Sequence, residues 1–239
     1  MPGDGLDCRP MRSPRIAAAA SAAILLAVVA SACGGSGSSD NGVASKSANG
    51  IVTSAVTAID GVKSVHVSGS TTNGGAAINL NLDLVNGKGG RGSMSENGLG
   101  FQIVSVGNTV YINGSNSFWS HFGGNAAVQL FHGKWLKAPA TGNFGSFADL
   151  TNLRKLFTAL LSTHGTLGKG SAATINGRKA IGVIDKTKGG TLYVATTGKA
   201  YPLEISKGGS GGGKIDFTKF NESVPLSAPA NAIDISQLK

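Results

Sequence analysis

From residue 63 onward, hydrophobic and polar residues alternate with a period of two, in short runs separated by turns rich in glycine and asparagine. The run AAINLNLDLVNG at 76–87 sets Ile78, Leu80, Leu82 and Leu84 against Asn79, Asn81 and Asp83, which predicts a strand with one apolar and one wet face. Further strands are expected in KSVHVSGST, GLGFQIVSVG, TVYINGS and KWLKAP. GSAATING, RKAIGVID, TLYVATTG, YPLEISKG and GKIDFTKF complete the set. Asn-Gly pairs at 86–87, 97–98, 113–114 and 176–177, together with ATTGKAY, suit tight hairpin connections, so the strands read as an antiparallel meander. Lysines and glycines between them, as in NGKGGRG and DKTKGG, read as turns.

Three segments switch to helical spacing. In KSANGIVTSAVTAIDGV, Ile51, Ala55 and Ile59 recur with Val52 and Val56 beside them, and Gly61 ends the run. NSFWSHFGGNAAVQLF places Phe118, Trp119, Phe122 and Leu130 on or near one side. DLTNLRKLFTALLSTHG carries Leu150, Leu153, Leu156, Phe157 and Leu160 and stops at Gly165. The order is helix, strands, two helices, strands. It predicts an α+β fold in which a strongly curved antiparallel sheet of about eleven strands is covered by helices on its concave face.

Residues 1–32 do not belong to that domain. Arg9, Arg12 and Arg15 precede IAAAASAAILLAVVA, an apolar stretch that fits an export signal better than a membrane span of roughly twenty residues. Ala30-Ser31-Ala32 then sets small side chains before Cys33, which resembles the lipobox of a bacterial lipoprotein, where the thiol receives a diacylglyceryl group. Ala30 stands where Leu or Val is usual, so cleavage nearby by an ordinary signal peptidase is the alternative. Cys8 lies in the leader, and would not be made if translation starts at Met11, so the mature chain keeps one cysteine and no disulfide framework. Residues 33–45 read as the lipidated cysteine and a flexible Gly/Ser tether, and 46–239 as a single domain.

The chain carries a net charge of +9. Three of the 21 basic and two of the 12 acidic residues lie in the leader, leaving +8 on the mature protein. That charge favours an anionic membrane surface. The lysines occur singly in turns, without a basic helix or aromatic-studded basic strand, which argues against a nucleic-acid partner.

Specific stretches resemble a known family. YINGSNSFWSHFGG followed by GKWLKAP, TLYVATTGKAYPLEI, and KIDFTKFNESVPLSAPANAIDIS are similar to the strand, aromatic helix, hairpin and closing strand of the actinobacterial LppX/LprG-type lipoproteins. Those proteins have the LolA-like lipoprotein-carrier fold, an unclosed β-barrel with helices across its mouth. The likeness runs from about residue 45 to 239. The linker KWLKAPATGNFGSFADL is shorter than the segment in which those proteins build a deep lipid cavity.

The resemblance implies a protein lipid-anchored to the outer face of the bacterial cytoplasmic membrane, binding or carrying a lipid, glycolipid or acylated protein between sheet and helices. Ile78, Leu80, Leu82, Leu84, Phe101, Ile103, Val110, Ile112, Trp119, Phe122, Leu153 and Phe157 are the candidate lining. The same residues also suit a filled core, in which case the protein is a surface lipoprotein that meets envelope or signalling partners through its exterior. No cofactor or metal is expected, because His66, His121, His132 and His164 lack ligand spacing. No enzyme is expected either: GGSGGGKI at 208–215 mimics a phosphate loop but has Ile215 where Ser or Thr would bind magnesium, and no G-x-S-x-G elbow is present.

Overall fold

The computed structural model describes residues 39–161, 164–209 and 211–237. The leader and Cys33 lie outside the described residues. Helix α1 (Ala48–Asp60) opens the domain, followed by β1 (Ser64–Asn73), β2 (Ala76–Val85), β3 (Gly89–Glu96), β4 (Leu99–Val106) and β5 (Thr109–Gly114). Helix α2 (Asn116–Phe131), β6 (Leu136–Pro139), α3 (Gly145–Leu150) and α4 (Leu153–Leu161) form the middle. The chain continues through β7 (Leu167–Ile175), β8 (Arg178–Asp185), β9 (Thr191–Ala195), β10 (Pro202–Lys207) and β11 (Gly213–Thr218) to the short β12 (Ile233–Asp234).

The twelve strands make one sheet in the order β12-β6-β5-β4-β3-β2-β1-β11-β10-β9-β8-β7. Neighbours are antiparallel except β12, which runs parallel to β6 and is tied to it by a Lys137–Asp234 ion pair of 3.1 Å. The two outer strands do not pair with each other, so the curved sheet stays unclosed. Register aligns its concave face into rows: Phe217, Val67, Leu82, Gly92, Ile103, Ile112 and Leu136 sit side by side, and all but the glycine belong to one buried cluster with Leu153, Leu156 and Phe157 of α4. The wet face has its own row, in which Asp83 joins His66 on β1 (2.8 Å) to Arg91 on β3 (3.4 Å).

Strand β3 has no counterpart among the expected strands, because its inward positions are Gly90 and Gly92 and give no apolar alternation. The glycines are required by close approach. A Cβ at Gly92, where φ is 151°, would collide with the Asn81 carbonyl oxygen, and one at Gly90 would lie 2.9 Å from a Leu84 methyl.

Helix α1 forms as expected, with Ser47 accepting from the Gly50 amide at its start and Ile51, Ala55 and Ile59 buried. Helix α2 differs. Phe118 and Trp119 are buried against β4 and β5, but Phe122 and Leu130 are 65% and 57% exposed. Gly124 adopts φ 66° and ψ −165° and breaks the helix, so its second half turns Ala127, Val128 and Phe131 inward instead of Leu130. The third expected helix begins later than its apolar spacing implied. Leu150 ends α3, Asn152 caps α4 through the Lys155 amide, and Leu153, Leu156 and Phe157 are buried.

Residues 40–45, assigned above to the tether, are packed. Asp40 bridges to Thr197, the Asn41 side chain donates to the carbonyls of Ala195 and Gly198 at 3.0 Å, and Val43 is fully buried with Ile51, Val183 and Val194. Val43 is the first apolar side chain after the Gly/Ser tract, and burying it draws this segment onto the sheet. At the other end of β8, Asp185 clasps two loops: its carboxylate accepts the amides of Lys188 (2.8 Å), Gly165 (2.8 Å) and Thr187 (2.9 Å). The Lys188 amide, then those of Gly165 and Thr187, hold this carboxyl below its ordinary value of 3.8.

Two measurements check these features. Gly92→Ala is expected to cost about 1–3 kcal/mol and lower Tm by roughly 3–10 °C, while Gly100→Ala, whose added methyl meets only the Ser95 Cβ at 3.8 Å, stays within about 0.5 kcal/mol. Because the folded pKa of Asp185 is depressed, its clasp is intact above the unfolded value and is lost as pH falls through the folded one. The Gly165, Thr187 and Lys188 amide resonances are therefore expected to titrate together, with a midpoint below 3.8. Titration at or above that value would show that the carboxylate is not held.

Candidate functional site

The sheet rows that form the lower core are filled, and the rows above them are not. Val183, Leu192, Ile205, Ile215, Gly69, Leu80 and Met94 align across β8, β9, β10, β11, β1, β2 and β3. The row beyond contributes Lys207, Gly213, Thr71 and Ile78. No side chain projects at Gly69 or Gly213, and none can be added: a Cβ at either would strike the carbonyl oxygen of the neighbouring strand. Above these rows lie Ala159, Leu160 and Leu161 of α4.

The result is a cavity of about 500 Å³, within the range of small-molecule pockets. Its floor is the row from Val183 to Met94, and its roof is Ala159, Leu160 and Leu161 of α4 with Val52 of α1 and Leu167 of β7. Lys188, Lys207, Asp185 and His164 stand at the mouth with the glycines of the β8–β9 and β10–β11 connections. The segment that mimics a phosphate loop is the second of these connections, between paired strands. Cations at the edge of an apolar space suit an acyl chain with an anionic or polar head group.

Two smaller spaces adjoin other parts of the core. One, about 280 Å³, lies between α1 and α4 beside the Arg154–Asp60 ion pair of 3.0 Å, and shares Val52, Leu161 and His164 as walls with the main cavity. The other, also about 280 Å³, is aromatic, walled by Phe118, Trp119, Phe122, Phe144 and Phe147 over Ile112 and Leu136. There the Trp119 indole Nε1 is buried without a hydrogen-bond partner among the described residues.

The residues singled out from sequence are thus divided. Ile78 and Leu80 line the main cavity. Phe157 borders the α1–α4 space, and Ile112, Trp119 and Phe122 border the aromatic one. Phe101 is engaged by the rings of Phe118 and Phe147 at centroid distances of 5.3 and 5.2 Å. Leu82, Leu84, Ile103, Val110 and Leu153 line none of these spaces; they are packed core, each at most 2% exposed. Sequence reasoning looked to β2, β4, β5, α2 and α4, whereas most of the cavity belongs to β8–β11 and their connections, with Val52 of α1 and Ala159, Leu160 and Leu161 of α4. RKAIGVID and YPLEIS show the needed alternation, but an apolar alternation is the same whether its face is covered or left open.

Among the described residues, no His, Cys, Asp and Glu side chains gather into a metal-binding group, and no helix is long and apolar enough to cross a membrane. No protein-family model and no curated protein matches the sequence. Solved structures do match. LprF from Mycobacterium bovis is 15% identical with a TM-score of 0.52, covering 77% of this chain and 97% of that one. The Mycobacterium tuberculosis lipoprotein LppX is 17% identical with a TM-score of 0.48, covering 79% of this chain and all of that one. The chain therefore has the fold of LprF, an unclosed antiparallel half-barrel with helices against its concave face, as its sequence resemblance led us to expect.

Proposed function

We propose that this protein is an exported lipoprotein, anchored through a lipidated Cys33, that holds an acyl chain of a lipid, glycolipid or acylated protein between its sheet and helices α1 and α4. The observation that carries this reading is the apolar cavity of about 500 Å³ with Lys188 and Lys207 at its mouth. The shared fold with LprF supports it. The chemistry required is retention rather than reaction: apolar surface to bury methylenes, each worth about 0.8 kcal/mol, and polar groups only at the rim.

A second reading rests on a different observation. Phe122 and Leu130 leave apolar surface on the outside of α2, as an interaction protein would. Native mass spectrometry separates the two. The Cys33→Ser mature chain, purified without detergent from a lipid-containing host, carries a stoichiometric lipid on the first reading. A bare mass, unchanged after incubation with envelope lipids, supports the second.

Leu160→Trp, which fills the roof of the cavity, is expected to lower lipid occupancy at least tenfold while Tm moves by only about 2 °C. Leu82→Ala, in the packed core, is expected to cost about 2–5 kcal/mol by denaturant titration. Equal loss of stability in both would favour a filled core throughout. Cys33→Ser is also expected to shift the protein from the membrane to the soluble exported fraction, and continued membrane retention in fractionation would refute the lipid anchor.

A further inference from the structure

The chain enters the fold at the end of the sheet opposite the cavity mouth. Asp40 and Asn41 are fixed to residues 195–198 in the β9–β10 connection, with the Asn41 amide donating to the Thr196 carbonyl at 2.9 Å. The mouth is edged by Gly189, Gly190, Lys207 and Gly213, at the other ends of β9, β10 and β11. From Lys179, bonded to Thr196, to Asp185, bonded to Gly190, β8 runs six residue steps, about 20 Å along the strand.

On the reading that Cys33 is lipidated, seven residues, 33–39, join the lipid to this entry point. A segment of that length reaches at most about 25 Å. Seating the mouth on the bilayer would raise Asp40 by about the length of the strands, which takes up most of that reach. Seating the entry end there demands no extension.

That end is also basic. Exposed Lys88, Lys63, Lys219, Lys199 and Lys179 follow one another from the β2–β3 turn to the start of β8. They are linked through the backbone: the Asn86 amide donates to the Lys63 carbonyl, Lys63 donates to the Asn221 side chain, and the Thr196 amide donates to the Lys179 carbonyl. None of the five enters an ion pair among the described residues. The carboxylates at this end include Asp40, Glu222, Asp60, engaged by Arg154, and Asp83, engaged by His66 and Arg91. Charge by itself does not choose between the ends, since Lys188 and Lys207 stand at the mouth; the tether does.

We propose that the lysine-bearing entry end of the sheet rests on the anionic phospholipid surface of the membrane that holds the Cys33 lipid, so that the cavity mouth opens away from that membrane. This rests on the anchor and cavity readings above and adds their geometry. A lipid leaving or entering the mouth then exchanges with an acceptor or donor beyond the protein's own bilayer.

The test uses the full mature protein from a host that lipidates it, its lipid verified by intact mass, with one fluorophore on either Lys199→Cys or Lys207→Cys. Reconstituted in vesicles of phosphatidylglycerol and phosphatidylethanolamine bearing an energy acceptor on the head groups, the label at 199 is expected to transfer at least threefold more efficiently than that at 207. Equal or reversed transfer overturns the orientation. Salt at about 0.5 M screens surface charge and is expected to narrow the ratio at least twofold. An unchanged ratio overturns the role given to the lysines. A mature protein with a free Cys33 thiol refutes the anchor and this orientation together, whereas a lipidated protein with reversed transfer refutes the orientation alone.

Discussion

A sheet that does not close on itself must have its apolar face covered by other parts of the chain, and much of this structure follows from how α1 and α4 meet that demand. In the lower rows Leu153, Leu156 and Phe157 fill the trough against Leu82, Leu84 and Phe217, with the Phe157 and Phe217 rings 4.7 Å apart. In the upper rows the sheet has Gly69 and Gly213, where no side chain can project. The cavity is the space that neither layer occupies. It lies over rows of the sheet that lack side chains at Gly69 and Gly213, and it adjoins a buried apolar core.

The same glycines serve curvature. Gly69 and Gly92 share φ 151° and a backbone too near the next strand for any side chain, so the sheet bends tightly along β1, β2 and β3. Bending gives the trough its depth, and depth gives the helices something to lie in. The polar devices sit at the ends of the strands: the Asp185 carboxylate joins the α4–β7 and β8–β9 connections at the mouth, and Asn41 fastens the incoming chain at the opposite end. The mouth and the point where the chain enters the fold are thereby separated by the length of the strands.

Much of the fold was legible in the sequence wherever side chains carried the signal. Ile78, Leu80, Leu82 and Leu84 announce β2, and Ile51, Ala55 and Ile59 announce α1, because burial on one face imposes a period. Strand β3 was not legible, since Gly90 and Gly92 do their work by lacking a side chain. The outward position of Leu130 was hidden by a single backbone conformation at Gly124, which re-phases the helix. The packing of residues 40–45 was missed because one apolar residue, Val43, amid polar neighbours makes no period at all.

The sequence by itself determined the class of fold, the antiparallel hairpins and the apolar face of those strands whose side chains alternate, because each is encoded by residues adjacent or periodic along the chain. Only the tertiary structure decided which part of that apolar face is core and which is cavity. Leu80 and Leu82 are two residues apart on one strand with the same side chain, yet one lines a void and the other is packed. The difference lies in what stands opposite them, the end of α4 over one and its middle over the other, and that is set by contacts between residues some eighty positions apart.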